Sequence, residues 1–342
     1  MKKERFKELD GLRGIAACLV MIFHFFEGHL PFVGLGSTGV DLFFIISGFV
    51  IFLSINSVSK GREFVISRVS RLYPTYWFCV VITFILVSVY AFHDHQPIHT
   101  RTFIFDLTMF QHYFFKPDLD PVYWTLIVEM TFYILILILF KLNLLKHIVP
   151  IGTLLTIILL ATYPFQHNAV IVDSFFYFGL PTFFPLFFAG IVFYKIYDGV
   201  PKKIWYYLLL GLCYITQVSL YDLTKIAFRI SQVKYACMLT LFFGFFILFV
   251  SNKLNFVTSR PILFLGKISF ALYLTHHEVI AYIVDPLFGG ILHCSFFVTA
   301  TIAIACSIIA AALVNRYIEV PFSKKMKEYL KSTFLPQPVH SI

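Results

Sequence analysis

The sequence predicts an all-α fold, a polytopic bundle of about ten membrane-spanning helices with both termini in the cytoplasm. Three observations predict it. Hydrophobic residues fill 59% of the 342 positions and charged ones only 13%, with a mean hydropathy of +0.84, whereas a soluble domain carries about a quarter charged residues. Apolar stretches of spanning length, about 20 residues, recur along the whole chain with short polar connections between them. Of the 27 Lys and Arg residues, only Arg101, Lys116, Lys225 and Arg229 fall in connections on one side, and nearly all the rest fall on the side of the N-terminus. That asymmetry places the N-terminal side in the cytoplasm.

Composition narrows the reading further. Aromatic residues make up 19% of the chain, with 43 Phe and 19 Tyr, which suits lipid-facing helices and interfacial belts. The formal net charge of +9 is dispersed over short connections, so it reports topology, and no nucleic-acid partner is expected. Cys18, Cys79, Cys213, Cys237, Cys294 and Cys306 lie almost all in apolar segments without a CxxC pair or zinc-like spacing, and read as small core residues. No small-residue cleavage site follows the first apolar segment, so it stays as a helix. The expected partner throughout is the lipid bilayer of the cell membrane.

The expected spans are 9–27, 38–57, 75–92, 121–140, 148–164, 174–195, 204–221, 234–251, 263–284 and 294–314. The first, LDGLRGIAACLVMIFHFF, is apolar enough to enter a bilayer yet holds Arg13 and His24. An ionisable group within a span is unfavourable and marks a functional site by default. Eleven residues at about 100° each make roughly three turns plus 20°, so both side chains share one helix face about 16 Å apart along the axis. Arg13 near a helix end could also extend to the headgroups; His24, three turns deeper, has no such outlet.

The second span opens with Asp41, where an acid at the outer boundary could be hydrated, and continues through Ser47 and Gly48, which read as helix-packing residues. The connection after it, KGREFVISRVSRLYP, puts Arg68 and Arg71 three residues apart, with Pro74 placed to stop or kink the turn before the third span. On a helical turn the two arginines share a face. They serve either as cytoplasmic anchoring cations or as planar guanidinium forks for phosphates.

The longest connection, from about His93 to Asp120, is outer and contains His93, His95, His99 and His112 with Asp94 and Asp106. No spacing there matches a defined ligand set, so no metal is expected; a loop of this length suits an acceptor-binding mouth or lid. The fourth span, VYWTLIVEMTFYILILILF, carries Glu129 at a depth compatible with His24. The pair could orient and activate the imidazole or simply lock two helices. The fifth to eighth spans, with Pro164, Pro181 and Pro185, read as scaffold. The ninth, FLGKISFALYLTHHEVIAYIV, brings Ser269, Tyr273, His276, His277 and Glu278 into a span, and a basic cytoplasmic tail occupies about 315–342.

In order, LDGLRGIAA with His24 beyond it, GVDLFFIISGF, SRVSRLYP, WTLIVEMTFY, FLGKISFALYLTHH and EVPF resemble the signature blocks of the acyltransferase-3 family of multispanning membrane proteins, over nearly the whole chain. The resemblance implies a single integral-membrane domain over 1–342 with no appended extracytoplasmic domain. It implies an O-acyltransferase that moves an acyl group, most often acetyl, from cytoplasmic acyl-coenzyme A (acetyl-CoA) to a hydroxyl of a cell-surface or lipid-linked glycan. Under it, His24 matches the essential histidine, Arg13 its partner, Arg68 and Arg71 the basic pair that would meet the donor, and Glu129 the acid of the fourth span. A proton-coupled secondary transporter is the alternative that intramembrane His and Glu would also suit.

Overall fold

A computed structural model of the chain describes residues 6–93, 95, 97, 100–199 and 203–335. Among them no strand occurs, and eight helices are long and apolar enough to cross a membrane. In chain order the α-helices are α1 (Lys7–Phe26), α2 (Gly39–Asn56), α3 (Gly61–His93), α4 (Thr100–Asp106), α5 (Trp124–Lys141), α6 (Ile148–Ala161), α7 (Ala169–Phe178), α8 (Leu180–Tyr197), α9 (Lys203–Ser219), α10 (Gln232–Val250), α11 (Arg260–Glu278), α12 (Phe296–Val314) and α13 (Val320–Phe334). The cations Lys2, Lys3, Arg5 and Lys202, the loop residues Asp94 and His99, and the end of the basic tail lie outside the described residues.

The helices sort into two compact units. One comprises Met1–Leu53 and Thr125–Ser269, and its organising feature is close backbone approach. A Cβ on Gly48 of α2 would collide with the Phe187 carbonyl of α8, and one on Gly190 of α8 with the Ile45 carbonyl of α2. Small residues are favoured where spanning helices touch, because dispersion replaces the hydrophobic drive that lipid cannot supply. Around that seam Phe132 of α5 stacks on Phe187 at 4.2 Å and Phe44 tilts onto it at 4.8 Å. The same device joins α1 to the start of α11, where a Cβ on Gly14 would lie 2.7 Å from the Gly266 nitrogen. The span expected at 174–195 is divided in two: Gly179 at φ +63° separates α7 from α8, with Pro181 in the first turn of the new helix. Proline there lacks only an N–H that a helix start leaves unbonded anyway.

The other unit comprises Ser54–Trp124 and Phe270–Ile342. Its longest element, α3, runs 33 residues without a break, about 50 Å, well beyond the roughly 30 Å of a hydrocarbon core. The expected loop holding Arg68 and Arg71 is therefore helix, and Pro74 neither stops nor displaces it. A proline inside a helix removes one intrahelical bond, a loss tolerated in spanning helices where neighbours support the segment; Pro74 is buried. Along α3 lies α13, the amphipathic part of the basic tail, reached from α12 through a wide π-type turn at Asn315–Glu319. A second π-type segment, Val279–Ile291, continues α11 and packs on α12. Helical turns of this kind are rare and concentrate at functional sites.

Candidate active site

Within the first unit, α1 is one uninterrupted helix through both Arg13 and His24. Both are half-buried. Arg13 Nη1 lies 3.6 Å from Asp10 Oδ1, one turn earlier on the same helix, an ion pair that sequence reading did not name. At the far end Glu27 pairs with Arg229, whose guanidinium also sits 4.5 Å above the Phe23 ring beside His24. The His24 end of α1 is thereby tied to the 226–230 segment.

Glu129, on α5, has its Oε1 occupied by two hydroxyl donors, Ser47 Oγ from α2 at 2.6 Å and Tyr133 OH from one turn along at 2.5 Å. Distances this short are characteristic of O–H donors to a carboxylate. Gly48 is a packing residue as expected, while its neighbour Ser47 is a polar partner of the intramembrane acid. Asp41, which at the boundary could have been hydrated, is wholly buried beside Tyr235, whose hydroxyl accepts from Gln217 at 3.0 Å. The segment ahead of α2 packs against α10.

Within the second unit, Arg68 and Arg71 lie one turn apart on α3 and differ in setting. Arg68 is 7% exposed; its Nη2 donates to Ser54 Oγ and Ser67 Oγ at 3.2 Å each, and its guanidinium lies 5.8 Å from the Phe64 centroid. Arg71 is half-buried.

A second polar cluster in this unit was not anticipated. His277, near the end of α11, donates from Nδ1 to Asp120 Oδ2 at 3.0 Å, and Asp120 Oδ1 accepts from the Val122 N–H at 2.8 Å. Next to it Glu278 Oε1 accepts from Tyr123 OH at 3.1 Å and from Thr83, and those two hydroxyls are themselves 2.9 Å apart. His276 turns back on its own helix, its Nδ1 donating to the carbonyls of Tyr273 at 2.9 Å and Leu272 at 3.1 Å. The sequence signal was the run His276, His277, Glu278 in an apolar span; its partner Asp120 stands 157 residues away. At the end of α4, Asp106 is buried, accepts from the Leu119 N–H at 2.9 Å, and its carboxyl is pushed up to about 8 by burial and by the charges of Asp118 and Asp120. Among the described residues no three His, Cys, Asp or Glu side chains are grouped to hold a metal ion.

Comparison with known proteins places the whole chain. A family model described as an acyltransferase domain matches residues 6–316. The chain is 27% identical over 301 aligned residues to "Putative acetyltransferase ORF330" of Acidianus two-tailed virus, covering 81% of this chain and 84% of that one. It is 27% identical to O-acetyltransferase OatA of Staphylococcus aureus over 96% of this chain, which spans 58% of that relative's length. No solved structure matches significantly. With eight helices among the described residues long and apolar enough to cross a membrane and a match over nearly its whole length, the chain is an integral membrane protein and belongs to the acyltransferase-3 family of enzymes.

Proposed function

We propose that the protein is a membrane O-acyltransferase that moves an acetyl group from cytoplasmic acetyl-CoA to a hydroxyl of a cell-surface or lipid-linked glycan, in the cell membrane and with both termini cytoplasmic. The observation that carries the reading is the unbroken α1 with Arg13 and His24 eleven residues apart. An axial separation of about 16 Å is of the order of an extended pantetheine arm. Phosphates held near Arg13, with Arg68 and Arg71 as further donor-binding cations, would then deliver the thioester to His24. The acetyl and O-linked parts of the proposal take support from the name of the staphylococcal relative. Membership in an acyltransferase family weighs against a proton-coupled carrier.

In this reading His24 acts as general base. It takes the proton of the acceptor hydroxyl while that oxygen attacks the thioester carbonyl; the C–O bond forms, the C–S bond breaks, and the departing thiolate takes the proton back from the imidazolium. An acyl-histidine intermediate is the variant in which the imidazole itself is acylated first. Glu129 is assigned in this reading to orient His24 and raise its basicity. The test is release of free CoA from acetyl-CoA by the purified protein in detergent, with water or a soluble polyol as acceptor. Activity in micelles, lost in His24→Ala, supports the transferase. A protein inert in micelles that moves solute only between two compartments is a carrier.

A further inference from the structure

Helix α13 takes no part in the chemistry above, yet its side chains are sorted by kind. Over Val320–Phe334 it carries Lys324, Lys325, Lys327 and Lys331 against one acid, Glu328, and all five are exposed. At about 100° per residue, Lys324, Lys327 and Lys331 fall within an arc of roughly 60°, while Phe322 and Tyr329 lie within roughly 20° of each other on the opposite side. Met326 and Leu330, half-buried, lie between the two arcs, and the helix packs along α3. The rings of the aromatic side are left largely uncovered by protein, Phe322 at 50% and Tyr329 at 68% exposure. Glu319, just before the helix, accepts from Asn315 Nδ2 at 3.0 Å and so is turned back towards the preceding turn.

The place of α13 in the chain determines what covers those rings. The apolar helix before it, α12, has 19 residues and is about 28 Å long, enough by itself to fill a hydrocarbon core of roughly 30 Å. The π-type turn at Asn315–Glu319 follows, and such turns are where helices change direction. Aromatic rings are favoured at the headgroup level, where one edge is apolar and the other wet, and a helix with an aromatic side opposite a lysine side is the form that lies in that layer. Lys325 Nζ stands 5.7 Å from the Phe322 ring centroid, the arrangement in which an apolar stem lies along a ring and the ammonium extends to polar surroundings. Four cations against one acid, at that level, are complementary to the phosphodiesters of acidic lipids.

We propose that α13 is a binding site for anionic phospholipid, its lysines holding headgroup phosphates while Phe322 and Tyr329 enter the headgroup layer. The occupant is a lipid surface because the rings face away from Lys324, Lys327 and Lys331: one small soluble ligand cannot meet both sides of the helix, whereas a layer of headgroups surrounds it. The site depends on the protein's place in a bilayer and is independent of the acyl-transfer chemistry.

The experiment reconstitutes the full chain into vesicles of phosphatidylcholine mixed with phosphatidylglycerol, re-extracts it in mild detergent, and counts the lipids retained by native mass spectrometry. Wild type is compared with the double variant Lys324→Gln, Lys331→Gln, with all four lysines changed to Gln, and with all four changed to Arg. Wild type should retain phosphatidylglycerol in excess of its share of the bilayer. That enrichment should fall by up to about fivefold for each lysine removed, persist in the four-Arg variant, which keeps the charge, and shrink in wild type as salt is raised. Equal enrichment in wild type and in the double and four-Gln variants overturns the proposal, as does enrichment in wild type that is indifferent to salt. Enrichment lost equally in the four-Arg and four-Gln variants also overturns it, because packing and not charge is then what the lysines supply. Unchanged lipid retention with weakened acetyl-CoA binding assigns the lysines to the donor's phosphates and overturns the lipid site. The double variant, which alters only two exposed side chains, keeps the test decisive if the four-Gln variant fails to fold.

Discussion

Ser47 of α2 donates its hydroxyl to Glu129 of α5 at 2.6 Å, and Tyr133 donates to the same oxygen at 2.5 Å. Both donors converge on a half-buried acid in a helix that is otherwise apolar, so the carboxyl is held in one orientation by groups from two helices. If Glu129 supports His24 electrostatically, Glu129→Gln keeps the shape and alters the charge. Turnover should fall about ten- to a hundredfold, less than the loss in His24→Ala, with donor affinity preserved. Ser47→Ala removes one hydrogen bond of two to the carboxylate, so it should cost about the 1.5–3 kcal/mol of a bond to a charged group. Steady-state kinetics of the three variants decides; Glu129→Gln at full rate removes the acid from the mechanism.

The arginines of α3 give a prediction about the donor. A hydrogen bond to a charged group contributes about 1.5–3 kcal/mol, so Arg71→Ala should weaken acetyl-CoA binding about tenfold or more. Arg68 is buried among Ser54, Ser67 and Phe64, and its removal leaves a cavity as well as a lost charge. Arg68→Lys is the cleaner variant, since it retains charge and loses the planar fork. Affinity measured by equilibrium dialysis at rising salt should fall in the wild type, because exposed charges are screened over about 10 Å at 0.1 M, and the slope should flatten in Arg71→Ala. Equal affinity in wild type and the double variant Arg68→Ala, Arg71→Ala assigns the donor to other residues.

Much of the fold was legible in the sequence, for a physical reason. Spanning length and hydropathy are local properties, so nearly every expected span overlies a helix. The exceptions are places where local signals conflict with packing. Pro74 is a helix breaker by propensity, but α3 continues because it is buried within the unit. Gly179 looked like one small residue in an apolar run, yet its positive φ divides a span. At the candidate site, Arg13 and His24 could be related because they share one helix and a known pitch. The Asp120–His277 couple could not, since 157 residues separate its members and an acid at the end of a loop is ordinarily hydrated. Ser47 failed for the same reason: small size suggested packing, and only the partner helix reveals that its hydroxyl serves Glu129.

Asp106 gives a pH dependence. Its carboxyl is pushed up to about 8 by burial and by Asp118 and Asp120, against about 3.9 in an unfolded chain. Between those values the folded state holds a proton that the unfolded state has released, so the folded state binds more protons and stability falls as pH rises. Below about pH 4 both states are protonated and the contribution is flat; above about 8 both are ionised and the penalty of a buried charge is fully present. Thermal unfolding in detergent should therefore show the apparent Tm of the wild type falling from pH 5 to pH 8.5 more steeply than that of Asp106→Asn, which retains an acceptor for the Leu119 N–H. Parallel curves for the two proteins place the titration elsewhere.

The last prediction tests α1 as a ruler. Arg13 and His24 share a face only because eleven residues bring the helix round by three turns and about 20°, and α1 is continuous between them. Inserting one alanine after Ala17 turns His24 by about 100° relative to Arg13 and lengthens the separation by about 1.5 Å. The added length is small, so any large effect arises from rotation. Gly14 packs the helix on Gly266 at one end and Glu27 pairs with Arg229 at the other, so the insertion changes the facing of Arg13 and His24 whichever half turns. Donor affinity should survive within a few fold and turnover should fall by the 10²- to 10⁴-fold typical of a lost general base. Inserting four alanines adds about one turn and restores the face to within roughly 40°, so that variant should regain part of the activity despite carrying the larger insertion. Recovery with four and loss with one identifies facing as the requirement, whereas a loss that grows with the number of residues inserted reflects damage to packing. Single-turnover experiments with labelled acetyl-CoA and no acceptor then separate the two chemistries in the wild type. Unlabelled protein accords with His24 as a base, and stoichiometric label on His24 that an acceptor discharges establishes the acyl-histidine route in its place.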